Sequence, residues 1–482
     1  MLDRPNCSLD PDHDNWPAMR AQAHAMLDDM LNYTQDIRER PVWQPIPASA
    51  RDVFRQDLPK EPSDLGKVHE IFLEHILPYA IGNAHPGFMG WVHGGGNAAG
   101  ALGEMLAAFL NANLGGRDHI PIEVERQILK WCTQIFGFPD TASGIFVTGT
   151  SMANFIAVLI AIRKKLGFDV RQTGLAATSR NLVAYASAGA HQCISQAFDL
   201  CGLGTRALRL IPLNDQFELD LDALSRAIDE DRQAGREPFL LVGTAGSVDV
   251  GAIDDLDVMA DIARREDLVL HVDGAFGALG MLSETVSPRL KGIERADSIA
   301  FDFHKWAQVP YDAGFILVRD GQSHIDTFSS SAVYLKRESR GMAAGSPWPC
   351  DFGPDLSRGF RALKTWFTIQ VYGADKLGGV IDGTCELAAY LGQRIEQSKQ
   401  LELLAPVSLN IVCFRYRCTN PDEINAQIVL ALQESGVAAP SSTRINGQYA
   451  IRAAIVNHRS AREDIDAMVN AVEQIGSARL GS

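Results

Sequence analysis

The run SIAFDFHKW (298–306) decides how the rest of the chain is read. Ser298 to Phe303 has the character of a strand, yet it leads straight into His304, Lys305 and Trp306. A lysine is costly to bury without a partner, so Lys305 either reaches water or serves chemistry. Similar apolar runs recur on both sides: GIFVTG (144–149), NLVAYAS (181–187), PFLLVGTAG (238–246), LVLHVDGA (268–275) and AGFILVRD (313–320). Several are apolar at consecutive positions instead of alternating, and helical stretches separate them. That pattern predicts an α/β fold with a mostly parallel central sheet covered by helices on both faces.

Further out, the character changes. LNIVCFRYR (409–417), a helical run after Asp422, YAIRAAIVN (449–457) and a last helix predict a small C-terminal α+β domain. At the other end, apolar residues at 16, 19, 26, 30 and 37 form a helical stripe, and a second helix is expected from about Ser63 to Ala80. Neither helix has an evident core within its own segment. The expected organisation is an N-terminal helical segment (1–97) docked on the main body or on a partner subunit, a large α/β domain (98–375) and the small domain (376–482).

Composition narrows the function classes. With 46% hydrophobic and 21% charged residues, the 482-residue chain has the make-up of an ordinary folded protein. A net charge of -15, without a large basic cluster, argues against nucleic acid as a partner. No apolar run approaches a membrane span and Met1 to Trp16 lacks the order of a signal peptide, so a cytoplasmic location is expected. The eight cysteines are scattered without a C-x-x-C pair, which predicts reduced thiols and no metal site.

In an open α/β sheet, ligands gather outside the carboxyl ends of the strands, so the polar residues there are the candidates. Thr148 to Asn154 joins a strand to a helix through small residues and hydroxyls, a place where free N–H groups can cradle phosphate. Asp273 ends another strand and could pair with a ring-nitrogen cation, bind a metal or cap a helix. Lys305, 32 positions downstream, follows a third strand, where partial desolvation would favour the free amine needed for a Schiff base. Each feature alone has a bland reading. Together they supply what pyridoxal phosphate needs for its phosphate, pyridine nitrogen and aldehyde. His191 could then lie on one face of the cofactor ring and Ala275 on the other. A rival is a serine hydrolase, since HGGGN (93–97) resembles an oxyanion loop and Ser151, Asp273 and His304 follow a hydrolase order. It leaves Lys305 unexplained, and Ala153 stands where the G-x-S-x-G motif requires glycine.

RPVWQP (40–45), HPGFMGWVHGGGN (85–97), IPIEVER (120–126), GTSMAN (149–154), AHQCISQA (190–197), HVDGAFG (271–277), DFHKW (302–306), VYLK (333–336) and RGFRALKTWF (358–367) together resemble a family. From about Trp43 to the C-terminus the chain looks like a group II pyridoxal-phosphate decarboxylase, of the aromatic L-amino-acid decarboxylase kind, with the fold type I (aspartate aminotransferase-like) architecture. The resemblance implies Lys305 as the lysine that tethers the cofactor, Asp273 as partner of its ring nitrogen, and His191 stacked on the ring with Ala275 opposite. It implies Gly149, Thr150 and Ser151 at the phosphate with help from His304 and Asp302, and Thr244 and Ser247 at further cofactor-side positions. Tyr334 falls in the family's mobile loop, where a tyrosine is thought to protonate the substrate carbanion. Such a loop, here about 326–350, would close from the partner of a homodimer whose active sites lie near the subunit interface.

The substrate pocket implied by the same resemblance uses Trp91, Val92 and His93, the stretch Asn113 to Gly116, and Ser357 before Arg358. These lean towards a tyrosine- or dopa-like substrate, with tryptophan or phenylalanine also open. An oxidative relative forming an aromatic aldehyde is the near alternative, but Tyr334 and His191 favour plain decarboxylation. Arg117 leaves an acidic or diamino acid possible. Animal relatives carry Pro-Thr where this chain has His93-Gly94, and Asn where it has Asp302.

Overall fold

A computed structural model describes residues 9–12, 15–329 and 337–480. Among them, a seven-stranded sheet is built from β2 (Ser143–Val147), β3 (Leu182–Ser187), β4 (Leu208–Ile211), β5 (Glu237–Thr244), β6 (Val269–Asp273), β7 (Ser298–Asp302) and β8 (Gly314–Val318). The order across it is β2-β8-β7-β6-β5-β3-β4, and β8 alone runs against its neighbours. Strands buried on both faces need consecutive apolar residues; Leu240, Leu241 and Val242 on β5 are each 0% exposed. The mostly parallel α/β sheet expected from the sequence is present. One strand departs from it: AGFILVRD becomes β8 and pairs antiparallel with both β2 and β7. The link from β7 to β8 is too short for the crossover helix that a parallel partner requires.

A second, five-stranded sheet has the order β1-β11-β12-β10-β9. It comprises β1 (Phe88–Met89), β9 (Leu401–Leu403), β10 (Ile411–Tyr416), β11 (Ala439–Ile445) and β12 (Gln448–Ala454). β1 joins it in parallel with β11, and Val42 N–H donates to Gly436 O at 2.9 Å, so part of the segment 1–97 is stitched into the C-terminal unit of its own chain. Helix α1 (Trp16–Gln35) instead buries none of its residues in this chain. The long helix Arg361–Gln397 kinks at Gly373, which takes a positive φ of 72°.

The carboxyl ends of β2, β3, β5, β6 and β7 share one edge of the large sheet. Antiparallel β8 begins at that same edge, with Val147 opposite Gly314. The polar residues of interest leave the sheet there.

Candidate active site

Lys305 sits in the turn between β7 and β8. The turn is pinned from inside: Phe303 N–H donates to Ala313 O (2.9 Å), Val309 N–H to Phe303 O (3.1 Å), and Ala313 N–H to His304 Nδ1 (3.0 Å). The last bond makes Nδ1 an acceptor, so the His304 proton is on Nε2, which faces Asp302 Oδ2 at 3.7 Å. Burial holds His304 down to about 4, so it is neutral near pH 7. Asp302 ties the turn to its surroundings: Oδ2 pairs with Lys305 Nζ at 2.8 Å while Oδ1 accepts the Thr150 N–H at 2.8 Å. Gly94 explains part of the HGGGN run, because a Cβ there would come within 2.4 Å of His304 O and 2.5 Å of Lys305 O. That close approach presses the 93–97 loop onto the backbone carrying Lys305.

Across the cavity, Asp273 ends β6 and is buried. Asn154 Nδ2 donates to its Oδ2 and Ala275 N–H to its Oδ1, each at 3.2 Å. Burial pushes its carboxyl up, while the nearby positive charge of Lys305 and the approach of His191 pull it down. His191 is exposed to the cavity and caps the helix Gln192–Leu200, its Nδ1 accepting the Cys193 N–H at 3.2 Å. Gly149, Thr150 and Ser151 make the turn from β2 into the helix Thr150–Leu166. In that turn the Thr150 hydroxyl is buried with no hydrogen-bond partner in the protein.

These residues line one cavity of about 390 Å³. Of the candidates named from sequence, the structure brings together there Lys305, Asp273, Ala275, His191, Gly149, Thr150, Ser151, Thr244, Asp302, His304, Trp91, Val92 and His93. Two lie elsewhere. The Ser247 hydroxyl is buried and accepts the Ala252 N–H (3.0 Å), closing the turn after β5. Ser357 is exposed, beside the stretch 113–116, where Arg358 N–H donates to Asn113 Oδ1 (2.9 Å) and Leu114 N–H to Arg358 O (2.8 Å). Tyr334 lies outside the described residues. The hydrolase arrangement does not form among the described residues: His304 addresses Ala313 and Asp302, not Ser151, and the Gly95 N–H is taken by Gln308 Oε1 (2.9 Å).

Sequence reasoning missed several wall residues, among them Cys193, Val248, Phe276 and Tyr311. Tyr311 follows the HKW motif by five positions and packs against His304 with ring centroids 4.2 Å apart and the rings tilted by 37°; an aromatic so close to the turn was the available signal. His93 joins the same aromatic wall, 5.7 Å from Trp91 and 5.9 Å from Tyr311. Trp91 holds a left-handed backbone (φ 49°) at the cavity mouth, its N–H donating to Ser441 Oγ (3.2 Å) and its carbonyl accepting from the buried Arg452 (3.2 Å). The indole is 53% exposed, so core packing does not explain it.

Comparison with known proteins points the same way. The family model of the pyridoxal-dependent decarboxylase conserved domain matches residues 47–417. An aromatic-L-amino-acid decarboxylase of Bacillus atrophaeus is 31% identical over 461 residues, covering 93% of each chain. Tyrosine decarboxylase 4 of Petroselinum crispum is 28% identical, covering 92% of this chain and 91% of its own. In fold, the crystal structure of Oryza sativa TDC with PLP and tryptamine matches with a TM-score of 0.88 at 23% identity, over 98% of this chain and all of the other.

The cavity fits pyridoxal phosphate on its own chemistry: a lysine amine for the aldehyde, a buried carboxylate for a protonated ring nitrogen, and a helix start with an unpartnered hydroxyl for phosphate. A lysine, an acid and an anion cradle at one sheet edge, in a chain matched over most of its length, mean that this protein belongs to the pyridoxal-dependent decarboxylases and is a carboxy-lyase with pyridoxal phosphate as its cofactor.

Proposed function

We propose that the chain releases carbon dioxide from an L-amino acid with an aromatic side chain, tyrosine or dopa foremost, leaving the amine. The observation that carries this reading is the makeup of the cavity: Lys305 and Asp273 open into a space whose outer wall is the aromatic set Trp91, His93 and Tyr311. Among the described lining residues Lys305 is the one cation besides histidines, so nothing there would pair with an acidic side chain. His93 is held below its usual range by burial and by the charge of Lys305, and so meets a phenol as a neutral hydrogen-bonding ring. Arg117 lies 4.6 Å over the Trp348 ring and is not part of the lining.

When bound, pyridoxal phosphate supplies the electron sink that accepts the electrons of the breaking Cα–carboxylate bond. The protein's own part is to hold and orient. Lys305 would hold the aldehyde carbon of the cofactor, and Asp302, 2.8 Å from Nζ, would be the carboxylate beside that nitrogen. A carboxylate repels phosphate, so Asp302 organises Thr150 and Lys305 while Gly149, Thr150 and Ser151 receive the phosphate. Asp273 would keep the ring nitrogen protonated, His191 and Ala275 would lie on either side of the ring, and Val92 and Phe276 keep water from the inner wall. Tyr334 returns a proton to Cα. An arginine gripping the departing carboxylate would stabilise the substrate more than the transition state, and there is none among the described lining residues.

The working unit in this reading is a homodimer. Met105, Phe109, Leu110 and Ile120 are exposed on and after the helix Ala98–Leu110, Phe109 at 81%, and a second copy would cover them. Ser357 and the stretch 113–116, which lie together but off their own cavity, would then serve the partner's. Amine release measured across the twenty amino acids, dopa and 2,4-diaminobutyrate tests the substrate class. Turnover of tyrosine or dopa above the rest is expected; turnover confined to acidic or diamino acids would overturn it.

A further inference from the structure

The strand that ends in Asp273 carries a second polar side chain that this chemistry does not use. His271 lies two residues upstream, on the same face of β6, and is 0% exposed. A buried imidazole needs a partner for each nitrogen, and this one has both. Nδ1 is 2.9 Å from Ser298 Oγ on β7, and Nε2 is 2.8 Å from Oδ1 of Asn154, in the helix Thr150–Leu166. Asn154 is equally enclosed. Its Nδ2 donates to Asp273 Oδ2 and to Cys193 Sγ, each at 3.2 Å.

Chemistry fixes the direction of this row. With the Asn154 amide turned round, its oxygen would face the Asp273 carboxylate at 3.2 Å, acceptor against acceptor. The amide nitrogen therefore faces Asp273, Oδ1 faces His271, and His271 carries its proton on Nε2. Nδ1 is left as an acceptor, with the Ser298 hydroxyl as its donor. Every hydrogen in the row points towards Asp273. Burial keeps His271 down at about 4, so it donates at neutral pH without bringing a second positive charge.

We propose that Ser298, His271 and Asn154 are positioning residues that keep Asp273 ionised and aimed at the ring nitrogen of the cofactor. The proposal rests on the reading in which Asp273 partners that nitrogen. Enclosure on its own opposes a charged carboxylate, and donors aligned towards it offset that cost. A merely structural histidine would act on stability alone, and this difference is measurable.

Apoprotein of the wild type and of the variants H271L, H271Q and S298A, each reconstituted with pyridoxal phosphate labelled with nitrogen-15 in its ring, gives three readouts at neutral pH. These are the ring nitrogen's chemical shift, the rate of cofactor dissociation and the melting temperature of the apoprotein. The wild type should show a protonated nitrogen. In H271L the signal should move towards the unprotonated position and the cofactor should leave about tenfold to a hundredfold faster, the usual effect of losing a supporting hydrogen bond behind a bound group. H271Q, whose amide can still donate to Asn154, should recover most of both, and S298A should move the same way by less. A wild-type shift and dissociation rate in H271L, whatever its melting temperature, overturns the proposal. Should H271L not fold, a wild-type nitrogen shift in S298A overturns it equally. Wild-type protein that takes up no cofactor at all would overturn the decarboxylase reading beneath it, an outcome seen before any variant is made.

Discussion

At the scale of single residues, the polar groups of the site are held in place by short contacts to named neighbours. Asp302 holds Lys305 at 2.8 Å, Ala313 N–H fixes the tautomer of His304, and Asn154 addresses Asp273. If Asp273 is the partner of the ring nitrogen, as proposed, its replacement by alanine should lower kcat by about 10²-fold to 10³-fold with folding retained, measured as amine release against a thermal melt. Y334F should divert product from amine towards aldehyde, ammonia and peroxide, read as oxygen consumption, and an unchanged amine yield would remove Tyr334 from its role. Away from the site, His324 is fully buried between Phe328 and Phe352, with Nδ1 2.8 Å from Ser143 Oγ, and burial holds it down to about 3 from 6.5. Between those values the unfolded chain binds a proton that the folded chain refuses. The stability that neutral His324 contributes is therefore present above pH 6.5 and lost as pH falls towards 3. The melting temperature of the wild type should drop more steeply than that of H324L across this window. Lys305, Asp273 and His191 were legible in the sequence because strand ends are where α/β folds place chemistry. Asn154 and Tyr311 were not, since their relevance depends on which side chains the fold brings opposite them.

At the scale of elements, the cavity depends on loops held to strands by close approach and by one enclosed ion pair. Arg358 and Glu125, both nearly inaccessible, meet at 2.5 Å; Arg358 also donates to Leu114 O and Phe146 O (both 2.9 Å), while Glu125 accepts the Phe146 N–H (3.1 Å). That clamp joins the helix Ile120–Phe136, the end of β2 and the loop before the long helix. E125A leaves a guanidinium enclosed without its carboxylate and should cost about 3–5 kcal/mol of stability, measurable by denaturant unfolding. Gly94→Ala acts differently: its Cβ would collide with the backbone of His304 and Lys305, so cofactor affinity should fall by about tenfold or more before the melt changes much. The consecutive apolar runs announced most of the large sheet, but four strands escaped notice: β1, β4, β9 and β11. Leu208–Ile211 is short and half open, and Ala439–Ile445 carries Ser441, Ser442, Thr443 and Arg444, so neither reads as an apolar run. The antiparallel sense of β8 follows from the short link holding Lys305, which hydrophobic pattern does not encode.

At the scale of the molecule, the two sheets share the chain unevenly, and an apolar surface on Ala98–Leu110 is left uncovered. F109D, placed at its most exposed point, should shift the protein towards monomer in sedimentation and lower activity together with it; full activity in a monomer would separate the site from assembly. Composition and segment order made the α/β class legible from the sequence, and the five-stranded sheet forms a second unit beside the large one. They did not reveal that Phe88–Met89 crosses over to become an edge strand of that unit, since a two-residue strand carries no pattern of its own. All of the functional reading depends on the amine of Lys305 holding the cofactor. Purified protein treated with borohydride, digested and mapped by mass spectrometry measures this directly: a phosphopyridoxyl group fixed on Lys305 and absent from K305A is the predicted result, and an unmodified Lys305, or label on another lysine, would contradict it.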